Sequence, residues 1–239
     1  MKNGVLLTAT LLGSLLISAQ AVAGASANIG ATSNYIWRGV TQTQDAGAVQ
    51  AGLDYKAENG LYVGTWTSNV RAGGRTNATE LDVYGGYSKE LPSGVTYDVG
   101  LIGYGYSNTP ADSFGDFAEA YGKVGYKGVT AEVDYTIGKE KSLNATTGQA
   151  LKEHDVYYAL GYSGKLANDW SYGVKAGKYD FDDPANDDYS HSQLSLSKTV
   201  GKVGDFTLAV DKPSGLLTTA DTKANAAKVS LSWKKSFDF

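Results

Sequence analysis

Apolar and polar side chains alternate along most of this chain. In 47–56, Val49, Ala51, Leu53 and Tyr55 alternate with Gln50, Gly52, Asp54 and Lys56. In 79–89, Leu81, Val83, Gly85 and Tyr87 alternate with Glu80, Asp82, Tyr84 and Ser88. From 129 to 137, Val129, Ala131, Val133, Tyr135 and Ile137 face one way, and Thr130, Glu132, Asp134 and Thr136 the other. Successive strand side chains point to opposite faces, so each segment is a strand with one apolar and one polar side. No helix-length window carries a 3.6-residue stripe. A tilted strand needs about ten residues to cross a bilayer. Segments of that kind fall at 27–38, 47–57, 61–70, 79–89, 95–106, 117–127, 129–139, 153–163, 170–181, 190–200, 205–212 and 228–238. About twelve strands with an apolar outer face point to an all-β, antiparallel up-and-down transmembrane barrel. The third and eleventh are the least regular, and the loss of one hairpin leaves ten.

Short connections alternate with long ones. The short set is 58–60, 90–94, 127–128, 164–169 and 201–204, and the long set is 39–46, 71–78, 107–116, 140–152, 182–189 and 213–227. Outer-membrane barrels have short periplasmic turns, long outer loops and an even strand count that leaves both termini periplasmic, whereas a β-sandwich has no reason to sort its loops by length.

Both ends of the sequence agree with secretion to that membrane. Lys2 precedes an apolar run from Val5 to Ile17 and small residues at Ala19, Ala21, Ala23 and Ala25. This is a secretory leader, too short for a membrane-spanning helix. Residues 1–23 are expected to be removed after Ala21-Val22-Ala23, with 24–239 forming the barrel; cuts after Ala21 or Ala25 fit almost as well. At the other end Val229, Leu231, Trp233, Phe237 and Phe239 recur at even spacing, interrupted by Lys235. Outer-membrane proteins in general resemble this, and Trp233, Phe237 and Phe239 are the expected barrel-assembly signal.

Composition narrows the chemistry. With no cysteine, disulfides, thiolate metal sites and a lipid-anchored N-terminal cysteine are excluded. A formal charge of −4 opposes nucleic acid as a partner. The chain has 17 Tyr, 4 Trp and 30 Gly, which suits aromatic girdles and glycine-rich strands. The polar faces place Asp54, Lys56, Glu80, Asp82, Asp98, Glu119, Lys123, Glu132, Asp134, Lys175 and Asp211 in the lumen, because a lysine at mid-bilayer depth costs about 2–4 kcal/mol. Two readings follow: these groups line a pore with a weak preference for cations, or they pair across strands and fill a narrow barrel.

Arg38 closes the segment Ser33-Asn34-Tyr35-Ile36-Trp37-Arg38-Gly39. Here Tyr35 and Trp37 suit the interface girdle, and the arginine is placed near the outer mouth. There it either narrows the pore or, as a strand-end residue, contacts lipopolysaccharide or a loop carboxylate. The loop 182–188 collects four carboxylates without the closing glutamate of a calcium loop, and is read as a solvated acidic loop. His154 and His191, the only histidines, lie in no nucleophile motif, and no phosphate-binding, dinucleotide or zinc motif appears. No cofactor, metal or enzymatic activity is therefore expected, with a phospholipase-type serine and histidine pair the remaining enzymatic alternative.

Three segments carry a family resemblance: SNYIWRGVTQT at 33–43, GAVQAGLDYKAENGLYVGTWTSNV at 47–70 and ELDVYGGYSKEL at 80–91. They resemble the TorF-type family of proteobacterial outer-membrane porins. The resemblance is densest in the first third of the mature chain and implies a barrel without transferable catalytic or binding residues. Taken together, the sequence leads us to expect a bacterial outer-membrane channel for passive diffusion of small polar solutes or ions. Its partners would be outer-membrane lipid, lipopolysaccharide and the barrel-assembly machinery, with the oligomeric state open. The alternative is a barrel with a blocked lumen and a surface-interaction or envelope-structural role.

Overall fold

Alternation over so many segments is satisfied by closing them on one another. The computed structural model describes residues 23–71, 78–107, 117–138, 152–184, 186–216 and 224–239. Strand β1 (Gly24–Thr32) is followed by two short strands, β2 (Ile36–Trp37) and β3 (Val40–Thr41). Then come β4 (Ala48–Lys56), β5 (Leu61–Val70), β6 (Ala78–Glu90), β7 (Thr96–Tyr106), β8 (Phe117–Tyr126) and β9 (Val129–Thr136). The last are β10 (Val156–Lys165), β11 (Trp170–Asp180), β12 (Tyr189–Val200), β13 (Gly204–Ser214) and β14 (Lys228–Asp238). β1 and β4 to β14 form a closed twelve-stranded barrel, and β2 with β3 forms a separate hairpin. Closure pairs β1 antiparallel with β14, Ser26 facing Asp238 and Thr32 facing Ser232. On its other side β1 pairs with β4, Thr32 facing Ala48. The result is a closed sheet with no unpaired edge, the form a barrel surrounded by lipid must take because lipid satisfies no backbone N–H or C=O.

The strand parity read from sequence holds around the wall. Val49, Leu53, Leu101, Leu160, Leu194, Leu208 and Leu231 face outward and are exposed. The opposite parity faces inward, where Glu80, Asp82, Glu119 and Asp211 are buried. Inward tyrosines lie flat along the wall over glycines. A Cβ at Gly64 would meet the Tyr84 ring at 2.5 Å, and one at Gly86 the Tyr62 hydroxyl at 2.5 Å. The turns at 57–60, 91–95, 127–128, 166–169 and 201–203 share one end of the barrel with Gly24 and Phe239, whose N–H donates to the Ala25 carbonyl at 3.0 Å. The long connections share the other end.

The irregular third and eleventh barrel strands, Leu61–Val70 and Gly204–Ser214, are both complete. Two bounds shift at the long-loop end, where β9 stops at Thr136 and β10 starts at Val156 rather than at 153. His154 has a φ of 83° there, which breaks strand geometry. The first segment differs most. Expected as one strand over 27–38, it leaves the wall after Thr32, and the chain turns into the lumen. Ser33 closes the wall by bonding both ways with Leu231: its N–H donates to the Leu231 carbonyl and its Oγ accepts from the Leu231 N–H, each at 2.9 Å. Tyr35 and Trp37 are therefore not girdle residues. Of the expected leader, residues 1–22 lie outside the described residues.

Candidate functional site in the barrel lumen

The hairpin that leaves the wall carries the site. Ile36 pairs with Thr41 and Trp37 with Val40, so Arg38 and Gly39 form a two-residue turn. Their φ values of 49° and 84° are both left-handed, as the tight turn that matches strand twist requires. Gly39 has a second reason to lack a side chain, since a Cβ there would lie 2.5 Å from His191 Cβ. Burial of Ile36 and Val40, at 7% and 2% exposed, supplies the inward pull. Polar side chains fix the base of the loop. Thr41 Oγ1 donates to Asn34 Oδ1 at 2.6 Å, Asn34 Nδ2 to Asp45 Oδ1 at 2.8 Å, and Asp45 pairs with Lys228 at 2.6 Å. Tyr35 packs edge-on against Trp66 with centroids 5.4 Å apart.

At the tip, Arg38 reaches the far wall. Nη1 and Nη2 donate to Glu119 Oε1 and Oε2 at 2.7 and 2.8 Å, a two-pronged bond that matches the planar guanidinium to a carboxylate. Asp134 Oδ2 lies 3.1 Å from Nη2. Aromatic faces complete the enclosure, with Arg38 Cζ 4.2 Å from the ring centroids of Trp37 and Tyr157 and 5.3 Å from that of Tyr179. Tyr104 Oη donates to Glu119 Oε2 at 3.0 Å. Trp37 packs on Tyr104, Phe117 and Tyr179, so apolar rings surround the tip on the long-loop side.

Toward the short-turn end a second cluster stands on the wall. Glu132 bridges Lys123 at 3.1 Å and Lys175 at 3.0 Å. Tyr62 bonds both Asp98 and Tyr121, and Tyr84 bonds Asp54. Lys56 donates to Ser88 at 2.7 Å; nearer the long-loop end, Gln193 donates to Asp211 at 2.9 Å and Tyr106 to Glu80 at 3.0 Å. Asp82 Oδ1 is buried without a hydrogen-bond partner. Each lumen residue expected from sequence thus lies on the inner face, and Arg38 joins Glu119 and Asp134 from inside the lumen rather than from a strand end at the mouth. Its carboxylate partners stand on wall strands, not in a loop.

Sequence alone does not single out the tyrosines of the site, nor Lys234, which lies on the inward parity of β14 with Ser230 and Ser232. Their parity was the available sign: Tyr121 lies between Glu119 and Lys123 on the inward face, and Tyr179 shares the face of Lys175. His191 Nε2 pairs with the Tyr157 hydroxyl at 2.9 Å, and His154 with Tyr135, so each histidine has a tyrosine partner. In the acidic loop, Asp183 pairs with Lys152 at 2.5 Å and Asp188 with Lys178 at 2.8 Å. The bond from Lys178 holds the Asp188 carboxyl below its usual range. Among the described residues no cluster of His, Cys, Asp and Glu could hold a metal ion. Trp233, Phe237 and Phe239 are on the outward parity near the short-turn end, the indole N–H of Trp233 donating to Val203 O at 3.0 Å.

Gly39→Val is expected to lift the tip, because a branched residue in the left-handed region costs about 1–3 kcal/mol before the collision with His191 is counted. Tryptophan emission at longer wavelength in a barrel that still shows heat-dependent gel mobility is the check, and unchanged emission would contradict this account of the turn.

The barrel is similar to three solved outer-membrane structures at low identity. A KdgM porin aligns with TM-score 0.57 and 9% identity over 90% of this chain and 99% of that one. A KdgM porin in complex with disordered oligogalacturonate aligns with TM-score 0.54 and 8% identity over 90% and 99%. A NanC porin aligns with TM-score 0.54 and 11% identity over 90% and 100%. These likenesses concern the fold. No curated protein matches the sequence. The model of one family, described as bacterial protein of unknown function (Gcw_chp), matches residues 18–206, and the chain belongs to that family.

Proposed function

We propose that this protein is a porin-like channel of the bacterial outer membrane, through which small polar solutes or ions diffuse passively. One observation carries the reading: the inner wall of a closed barrel holds carboxylates, ammonium groups and hydroxyls, while a loop hairpin, not the wall, occupies the lumen toward the long-loop end. Residues 1–23 act as the cleaved leader, and the short-turn end with Gly24 and Phe239 faces the periplasm. The outward Trp233, Phe237 and Phe239 address the barrel-assembly machinery, and the long-loop rim meets lipopolysaccharide. The TorF-type resemblance supports the same reading. No enzymatic activity is assigned.

One similar porin is described with an oligogalacturonate. Here the inward carboxylates Asp54, Glu80, Asp82, Asp98, Glu119, Glu132, Asp134 and Asp211 outnumber Arg38, Lys56, Lys123, Lys175 and Lys234, which favours cations over anionic solutes. Single-channel recording in a planar bilayer under a salt gradient tests this. Stepwise openings with a cation-directed reversal potential are expected, and an anion-directed potential overturns the preference. Silence of a correctly folded barrel, with the hairpin deleted as well as intact, overturns the channel. A second reading, a blocked barrel with a surface or envelope-structural role, is favoured by the ring of Trp37, Tyr104, Phe117 and Tyr179. Liposome swelling by sugars separates the two.

A further inference from the structure

We propose that the wall groups Glu119, Asp134, Tyr157 and Tyr179 constitute a guanidinium-binding site in the lumen toward the long-loop end, with Arg38 as its built-in ligand, and that a free guanidinium cation takes the same place. The chemistry is that of a receptor for this planar ion. Two nearly equal bonds of 2.7 and 2.8 Å pair both Glu119 oxygens with two guanidinium nitrogens. A second carboxylate stands 3.1 Å away. Tyr157 presents its ring face at 4.2 Å, and Tyr179 lies at 5.3 Å. A compact ammonium satisfies the charge but not the fork or the stacking.

The receptor and its occupant belong to different parts of the fold. Glu119, Asp134, Tyr157 and Tyr179 sit on β8 to β11, rigid elements of the wall, whereas Arg38 arrives on a hairpin that pairs with no wall strand. Loss of the arginine side chain therefore removes the occupant and leaves the site standing. The tether keeps Arg38 at a high effective concentration, so a free cation competes weakly with the intact chain and well once the arginine is gone. The solutes this selects are small molecules bearing a guanidinium group. As a route for them the proposal rests on the channel reading; as a binding site it does not.

The test uses full-length protein folded in detergent, with methylguanidinium chloride as probe and methylammonium and sodium chloride as controls at equal ionic strength. Isothermal titration calorimetry reports binding, because it needs no chromophore on the hairpin tip, where Trp37 adjoins Arg38 and moves with it. In Arg38→Ala, methylguanidinium is expected to give a saturable heat that neither control gives. Adding Glu119→Gln is expected to weaken it roughly tenfold or more, since bonds to a charged acceptor are among the strongest available. If Arg38→Ala does not fold, Arg38→Lys, which keeps the charge but cannot form the fork, carries the same comparison. Equal responses to methylguanidinium and methylammonium, or no effect of Glu119→Gln, overturn the proposal. Bilayer current is recorded separately: a silent barrel that binds the probe refutes the channel alone, and a conducting barrel that ignores the probe refutes the site alone.

Discussion

Arg38→Ala is expected to raise the open probability of the barrel in planar bilayers by about a hundredfold, the change that follows when a hold of about 3 kcal/mol is lost. The reasoning starts from what the substitution leaves behind. Arg38 is the cation that Glu119 and Asp134 share, and all three are buried. Breaking a buried pair costs more than the pair was worth, because the remaining carboxylates face each other without a counter-ion. Water entering the lumen relieves that cost, and it enters only if the hairpin tip retreats. Two controls sharpen the result. Glu119→Gln removes one side of the fork and should open the barrel less, since Asp134 stays within reach. Lys178→Ala removes an ion pair at the exposed rim, to Asp188 at 2.8 Å, and should leave the current unchanged because such exposed pairs contribute little. Identical currents for the wild type and Arg38→Ala would show that the hairpin is not the barrier.

Leu194→Arg should lower stability in lipid vesicles by about 2–4 kcal/mol, the cost of an arginine at mid-bilayer depth. Leu194 is 62% exposed in the middle of β12, between Val174 on β11 and Val210 on β13. Its neighbour Ser195 has the opposite parity and points into the lumen. Ser195→Arg should therefore be tolerated and alter ion selectivity instead. The readout is the urea midpoint of the heat-modifiable form in vesicles. Equal midpoints for the two variants would contradict the parity assignment, and a harmless Leu194→Arg would contradict lipid exposure itself.

The second prediction rests on parity, and parity is legible in the sequence alone. The outward set Val49, Leu53 and Tyr55 and the inward set Gln50, Asp54 and Lys56 follow from alternation alone. The segment 33–38 shows where local reading failed. Tyr35 and Trp37 are spaced like outward girdle residues, and a strand pattern continues through them without a break. What stops the strand is a set of contacts remote in sequence: Ser33 with Leu231, Tyr35 with Trp66, and Arg38 with Glu119 across 81 positions. Nothing local distinguishes a tryptophan bound for lipid from one bound for a lumen, since burial in either is favourable.

The sequence by itself determined a strand count of ten or twelve, the parity of the wall, the sorting of loops by length and the inward place of the wall charges. Each follows from the two-residue period of a strand and from the cost of charge in lipid, which act on every segment independently. Only the tertiary structure decided how those charges pair, that the first long connection folds inward, and that Arg38 sits between two carboxylates and three aromatic rings. Those facts depend on closing β1 against β14 and on the width of the resulting lumen, quantities that exist only when all twelve strands are in place.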